Sequence, residues 1–326
     1  MVIPILLFIV GLLLLIKGGD WFVDSAVNIA HRFRIPELLI GATVVSIGTT
    51  LPEVMVSAAS AASGHGEMAY GNSIGSIICN TALIAAITVT VRPSKAEPGT
   101  IRLPVIFFFI SAVFYAFTAY AFGYFSSLVG VLLLLIFAVY MVISVKQALK
   151  APALPAEEEQ EKAAEKNGRF SLIKDLVFLV IGAALIAVGA DLLVDNGTII
   201  AEALCVPESV IALTFISLGT SLPELVTAIT SLVKGHSSLS LGNIIGANFF
   251  NLVLVSGVAT IVSPFAVPTS SELFGINTSL LIDIPVMLTV MGVLTIPTLF
   301  RGKLSRAQGV ILLIIYAAFC AFRFSV

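Results

Sequence analysis

The sequence predicts an all-α membrane protein of ten transmembrane helices, built as two inverted five-helix repeats with broken helices at the midplane. Three observations predict it. Of 326 residues, 58% are hydrophobic and only 11% charged, where a soluble domain carries roughly a quarter charged residues. Apolar runs of about twenty residues, the length that spans a bilayer, follow one another almost without pause. Finally, adding 171 to a position in the first half gives its counterpart in the second, without a gap, from Gly11/Gly182 to Pro93/Pro264. Between 18–80 and 189–251, 24 of 63 positions are identical.

The runs place spans near residues 2–30, 36–62, 68–91, 103–121, 124–146, 171–203, 207–233, 238–262, 276–299 and 306–325. The first, MVIPILLFIVGLLLLI, has no positive n-region before its apolar run and passes Asp20 without a small-residue cleavage site, so it reads as a span and not a removable signal. The polar stretch KAPALPAEEEQEKAAEKNGRF (150–170) predicts a short solvated helix or disorder. The expected organisation is a first repeat over 1–146, a linker over 147–170 and a second repeat over 171–326. With the N-terminus outside, 15 of the 17 Lys and Arg residues fall on inside segments, and the loops at 63–67, 122–123, 204–206 and 263–275 hold none. That bias predicts a multi-pass protein of the cell's inner or plasma membrane, with both termini outside and the linker cytoplasmic. The last spans also match, GVLLLLIFAVY (130–140) with GVILLIIYAAF (309–319), at a shifted offset.

Five spans per half force the second copy to enter the membrane from the opposite side. Inverted repeats of this kind are the design of secondary transporters, whose sites sit mid-membrane where broken helices meet. A channel needs only one open pore, and a receptor or scaffold is expected to carry a sizeable soluble domain. The expectation is a transporter and not an enzyme. It works as a monomer in the lipid bilayer, with no cofactor and no nucleic-acid partner. Cys79, Cys205 and Cys320 are scattered and odd in number, which implies packing and no disulfide framework.

Identity between the copies gathers in two places. GTTLPE (48–53) matches GTSLPE (219–224), and GNSIGSIICN (71–80) matches GNIIGANFFN (242–251). Pro52 has no N–H for the carbonyl of Gly48 and its ring crowds that carbonyl, so the helix is expected to open there. Pro223 does the same to Gly219. Freed carbonyls in hydrocarbon cost several kcal/mol each unless satisfied, and a bound cation satisfies them. Glu53 and Glu224 add two charges at about 2.5–3.5 kcal/mol each, tolerable if protons or a metal ion neutralise them. Around them are hard oxygens: the carbonyls near Ser46, Thr49, Ser217 and Thr220, the hydroxyls of Thr50, Ser76 and Ser221, and the amides of Asn80 and Asn251. Ca²⁺ takes about six to eight such ligands; no His or Cys cluster offers a softer metal a home. A single Pro kink with flanking hydroxyls is common in membrane helices and carries little weight. Two symmetric copies, each followed 27 residues later by an Asn, carry far more. The glycines of GNSIGS lack the preceding strand and the Lys-Ser/Thr of a phosphate-binding loop and fit close helix packing. Asn72 and Asn243 read as caps of the broken ends, outside the ligand shell.

In these motifs the sequence resembles the cation/calcium exchanger superfamily, which includes the sodium/calcium exchangers, over nearly the whole chain. The regions 41–80 and 212–251 look like that family's two alpha repeats. The resemblance implies antiport of Na⁺ against Ca²⁺. Glu53 and Glu224, with the backbone oxygens of Thr49 and Thr220, would hold Ca²⁺. The coupling ion would draw on Ser46, Thr50, Ser76 and Asn80 from one copy, and on Ser217, Thr220, Ser221 and Asn251 from the other. Two departures stand out. Ala247 replaces the serine found at Ser76, removing one hydroxyl from a Na⁺ position. Asn251 stands where potassium-dependent members carry Asp, which argues against K⁺ co-transport. A proton-coupled divalent exchanger is the alternative, since a deeply buried glutamate binds protons more readily.

Other charges read as secondary. Asp20 and Asp24 match Asp191 and Asp195, lining a path or pairing with neighbours. Lys17 and Asp20, three apart, are placed to pair. Asp283 reads as interfacial, and the matched His65 and His236 as turn residues.

Overall fold

The computed structural model describes residues 2–33, 35–150, 168–204, 219–268, 272–273 and 276–325. Most of the linker, Ser217 and Cys205, and the first half of the span expected over 207–233 lie outside these residues. Ten helical segments follow in order: α1 (Val2–Arg32), α2 (Glu37–Ala62), α3 (Gly66–Val91), α4 (Pro98–Phe122), α5 (Ser127–Lys150), α6 (Gly168–Ala203), α7 (Leu222–Lys234), α8 (Ser237–Val262), α9 (Ser279–Arg301) and α10 (Arg306–Ser325). Nine of them are long and apolar enough to cross a membrane, α7 being the one described only in part. Matched glycines in the left-handed region turn the chain at matched places. Gly64 (φ 83°) follows α2, and Gly235 (φ 90°) follows α7. Gly123 (φ 61°) caps α4 and Gly302 (φ 62°) caps α9.

Three of the long helices change winding midway. α2 has a π-helical turn over Gly41–Val45, α3 over Asn80–Ala85 and α8 over Asn251–Val255. The last two begin at matched asparagines. The expected opening at both prolines is found at one. In the second copy the chain turns at 219–221 and α7 starts at Leu222, with Pro223 in its first turn, where a missing N–H removes no helical bond. In the first copy Pro52 sits inside an unbroken helix, Ser46–Ala62. The departure lies two to three turns earlier, where the π turn inserts an extra residue and re-registers the helix before the proline.

The chain packs as two compact units, each drawing on both halves of the sequence: residues 1–49 with 145–243, and residues 50–144 with 244–326. The first unit is centred on α1 against α6. A Cβ on Gly11 would stand 2.9 Å from the carbonyl oxygen of Gly189, and one on Gly18 would stand 2.9 Å from that of Gly182. As one number rises the other falls, so the two helices run antiparallel. Positions 11 and 18 become 182 and 189 on adding 171, so each contact is the repeat image of the other. α1 and α6 are the same helix of the two copies, inserted in opposite directions. Phe22, Val23, Ile29, Ile40, Ile186 and Leu239 form the buried core around them.

The second unit has the same logic. Gly130 of α5 comes against Gly257 (carbonyl 2.8 Å from a Cβ) and Ile261 of α8, and Gly309 of α10 against Ala86 (carbonyl 2.7 Å) and Thr90 of α3. Subtracting 171 from 257 and 261 gives 86 and 90. The last helix of each half therefore packs on the third helix of the other half, through the glycine that opens the GVLLLLIFAVY and GVILLIIYAAF matches. Tyr70, Tyr115, Phe125 and Phe265 stack in one buried aromatic cluster, with Phe125 and Phe265 paired on a two-residue ribbon.

Candidate ion-binding site

In the second unit, α2 turns Thr50, Glu53 and Ser57 inward, spaced i, i+3, i+7, and all are fully buried. Its opposite face carries Leu51 and Met55, 48% and 71% exposed, as a lipid-facing surface requires. α3 repeats the device with Ser73, Ser76 and Asn80 at the same spacing, all buried. Asn72 Nδ2 donates to Ser57 Oγ at 2.9 Å and ties the two helices together. α8 adds Asn251. Its neighbour Asn248 donates from Nδ2 to Thr81 Oγ1 at 2.7 Å and lies 3.1 Å from Met291 Sδ, fastening α8 to the turn that carries Asn80.

Asn80 and Asn251 are the informative pair. Each is fully buried at the first residue of its π turn, and neither the oxygen nor the nitrogen of either amide has a hydrogen-bond partner. An unsatisfied buried polar group costs about 1–3 kcal/mol, so four such atoms at matched positions mark groups that serve something other than the fold. An amide oxygen in that condition is a hard ligand for a cation. Ala247, one helical turn before Asn251, is buried, and its side chain supplies no oxygen.

In the first unit, Ser46 and Thr49 are buried on α2, Ser221 and Glu224 are buried at the start of α7, and Thr220 is half-buried just before it. Glu224 lies in the first turn of its helix, where the positive end of the helix dipole favours a carboxylate by about 0.3–1 kcal/mol. Ser221 occupies the N-cap without capping, and its buried hydroxyl is unpartnered. Asn243 does what the sequence did not predict. Rather than capping a helix end, it meets Thr49 Oγ1 at 3.2 Å through Oδ1, and Ser46 Oγ at 3.0 Å through its backbone oxygen and 3.3 Å through Oδ1. Its signal was its match to Asn72, but the partner required the folded chain.

The secondary charges find partners remote in sequence. Lys234 bridges Asp20 (3.1 Å) and Asp24 (2.8 Å), and Lys17 lies over the Trp21 ring at 5.6 Å; the local Lys17–Asp20 pair is not formed. His236 Nδ1 lies 2.8 Å from Glu37 Oε1. Asp283 is buried and pairs with Arg323 at 3.6 Å.

A family model described as sodium/calcium exchanger protein matches residues 3–146 and 174–325. The chain is 36% identical to the inner membrane protein YrbG of Escherichia coli, over 81% of each chain. It is 29% identical to the sodium/calcium exchanger MaX1 of Methanosarcina acetivorans, over 96% of each. Its fold is similar to that of the sodium–calcium exchanger NCX_Mj soaked with 10 mM Na⁺ and zero Ca²⁺. The TM-score is 0.81 at 29% identity, covering 98% of this chain and 99% of that one. With ten helical segments, antiparallel repeats and matched buried amides, this membrane transporter belongs to the sodium/calcium exchanger family.

Proposed function

We propose that the protein exchanges Na⁺ for Ca²⁺ by alternating access at one site shared by Glu53 and Glu224. The observation that carries this reading is the matched pair of buried, unpartnered amides at Asn80 and Asn251. In it Ca²⁺ takes the two carboxylates and the backbone oxygens of Thr49 and Thr220. Na⁺ occupies positions supplied by Ser46, Thr50, Ser76 and Asn80, and by Ser217, Ser221 and Asn251. Charge balance supplies the coupling. One Ca²⁺ neutralises both carboxylates, and so do Na⁺ ions spread over several positions, but both sets together would leave uncompensated positive charge in a low-dielectric interior. Competition for the same carboxylates is then sufficient for exchange. The sequence halves 1–146 and 171–326 act as the repeats, joined by a cytoplasmic linker, and the chain works as a monomer with both termini outside.

The test is ⁴⁵Ca²⁺ uptake into proteoliposomes. An outward Na⁺ gradient is expected to drive uptake and an outward proton gradient to leave it near background. Uptake that follows protons and ignores Na⁺ would replace this reading with a proton-coupled one. Ala247→Ser restores the missing hydroxyl, and the midpoint of the Na⁺ titration is expected to fall severalfold, about 1 kcal/mol for one added hydrogen-bonding ligand. An unchanged midpoint removes Ala247 from the account of Na⁺ affinity.

A further inference from the structure

We propose that Asn243 is a positioning residue for the cation site, holding the turn of α2 that carries Ser46 and Thr49. At this crossing α2 and α8 touch backbone to backbone. A Cβ on Gly41 would stand 2.5 Å from the Leu239 carbonyl oxygen and 2.9 Å from the Asn243 nitrogen, and one on Gly242 would run into the Leu38 carbonyl. No side chain fits between the helices here. That leaves the next residue along, Asn243, to reach across, and it does so twice. Ser46 Oγ meets its backbone oxygen at 3.0 Å and its side-chain oxygen at 3.3 Å, and Thr49 Oγ1 donates to the side-chain oxygen at 3.2 Å. Turning the amide over would let its NH₂ donate to the same two hydroxyls, so the tie holds in either orientation.

Three features set this apart from ordinary helix packing. Asn243 is fully buried and its Nδ2 has no hydrogen-bond partner, a penalty that an apolar residue of the same volume would avoid. Its target is a single turn immediately after the π turn at 41–45, where the one Ser46 hydroxyl proton is shared between the Gly41 carbonyl at 2.7 Å and the Asn243 oxygens. And that turn bears the Thr49 carbonyl, so fixing the Thr49 side chain fixes the direction of an oxygen assigned to Ca²⁺. The Gly242-Asn243 pair thus has two tasks, contact by the glycine and orientation by the asparagine. The inference rests on the exchange reading for which ion is affected, and on the hydrogen bonds alone for the tie.

The experiment is a double-mutant cycle between Asn243→Leu and Thr49→Val, the latter keeping the carbonyl and removing the hydroxyl. In Na⁺-driven uptake, Asn243→Leu is expected to raise the KM for Ca²⁺ about tenfold, the scale of one or two lost hydrogen bonds, with Vmax within about twofold. In the Thr49→Val background the same change is expected to add less than about twofold. An equal effect in both backgrounds, or an unchanged KM, overturns the proposal, since a merely structural loss is indifferent to the Thr49 hydroxyl. If Asn243→Leu fails to fold, Thr49→Val alone is expected to show the raised KM, and a wild-type KM there overturns it equally. Calorimetric titration of the purified proteins with Ca²⁺ runs the same cycle without transport, so a failure of Na⁺ coupling is read separately from a failure of the tie.

Discussion

Glu53→Gln and Glu224→Gln are each expected to reduce Na⁺-driven Ca²⁺ uptake to below about a hundredth of the wild-type rate, equivalent to about 2.7 kcal/mol. Both variants are expected to elute as the wild type does. The substitution is nearly isosteric and removes one negative charge from a group buried to 0% exposure. A neutral side chain suits the bilayer interior better than a carboxylate, so the fold loses nothing on that account. In the exchange proposed above, what it loses is half of the charge that balances a divalent cation. Because the two glutamates occupy the same position in their copies, the two variants are expected to fail alike. Near-normal transport in either one removes the shared-carboxylate mechanism.

Gly182→Leu is the corresponding expectation for the fold. A Cβ there would stand 2.7 Å from the Phe22 nitrogen and 2.9 Å from the Gly18 carbonyl oxygen, both backbone atoms of a helix that cannot yield locally. Forcing α1 and α6 apart costs about 1–3 kcal/mol, and more where the backbone cannot shift, and disturbs the Phe22–Ile186 core. The expected result is loss of the monodisperse peak in detergent, or a fall in the melting midpoint of the solubilised protein. Gly71→Leu is the control, since a Cβ at Gly71 meets nothing within 4 Å. Equal stability of the two variants would mean that the close approach of α1 and α6 contributes little.

The repeat was legible because it is written in spacing. An offset of 171 is a property of the chain alone, and it carried over into contacts such as Gly11 with Gly189. The lipid-facing runs were legible for the same reason, since length and apolarity suffice. The π turns were not. Asn80 and Asn251 sit inside continuous apolar helices, and nothing in composition marks the insertion of one residue into the winding. Pro52 misled in the opposite direction: it is a strong local signal for an opening, yet its helix stays unbroken and the change of winding lies two to three turns upstream. Partners chosen in three dimensions were equally hidden. Lys17 and Asp20 satisfied the local spacing rule, yet Asp20 pairs with Lys234, which a reading of single helices does not reach.

The crossed glycine packing bears on how the protein is made. α1 finds its partner in α6, the face of α5 around Gly130 is covered by α8, and α3 receives α10. A nascent chain that has delivered only its first five helices therefore holds three contact faces open to lipid, two lined by glycine (Gly11 and Gly18 on α1, Gly130 on α5) and one by Ala86 and Thr90 on α3. Closure waits for α10 to leave the ribosome and insert. A gene cut at the linker should accordingly yield two fragments that are each unstable alone and that recover only when synthesised together in one membrane.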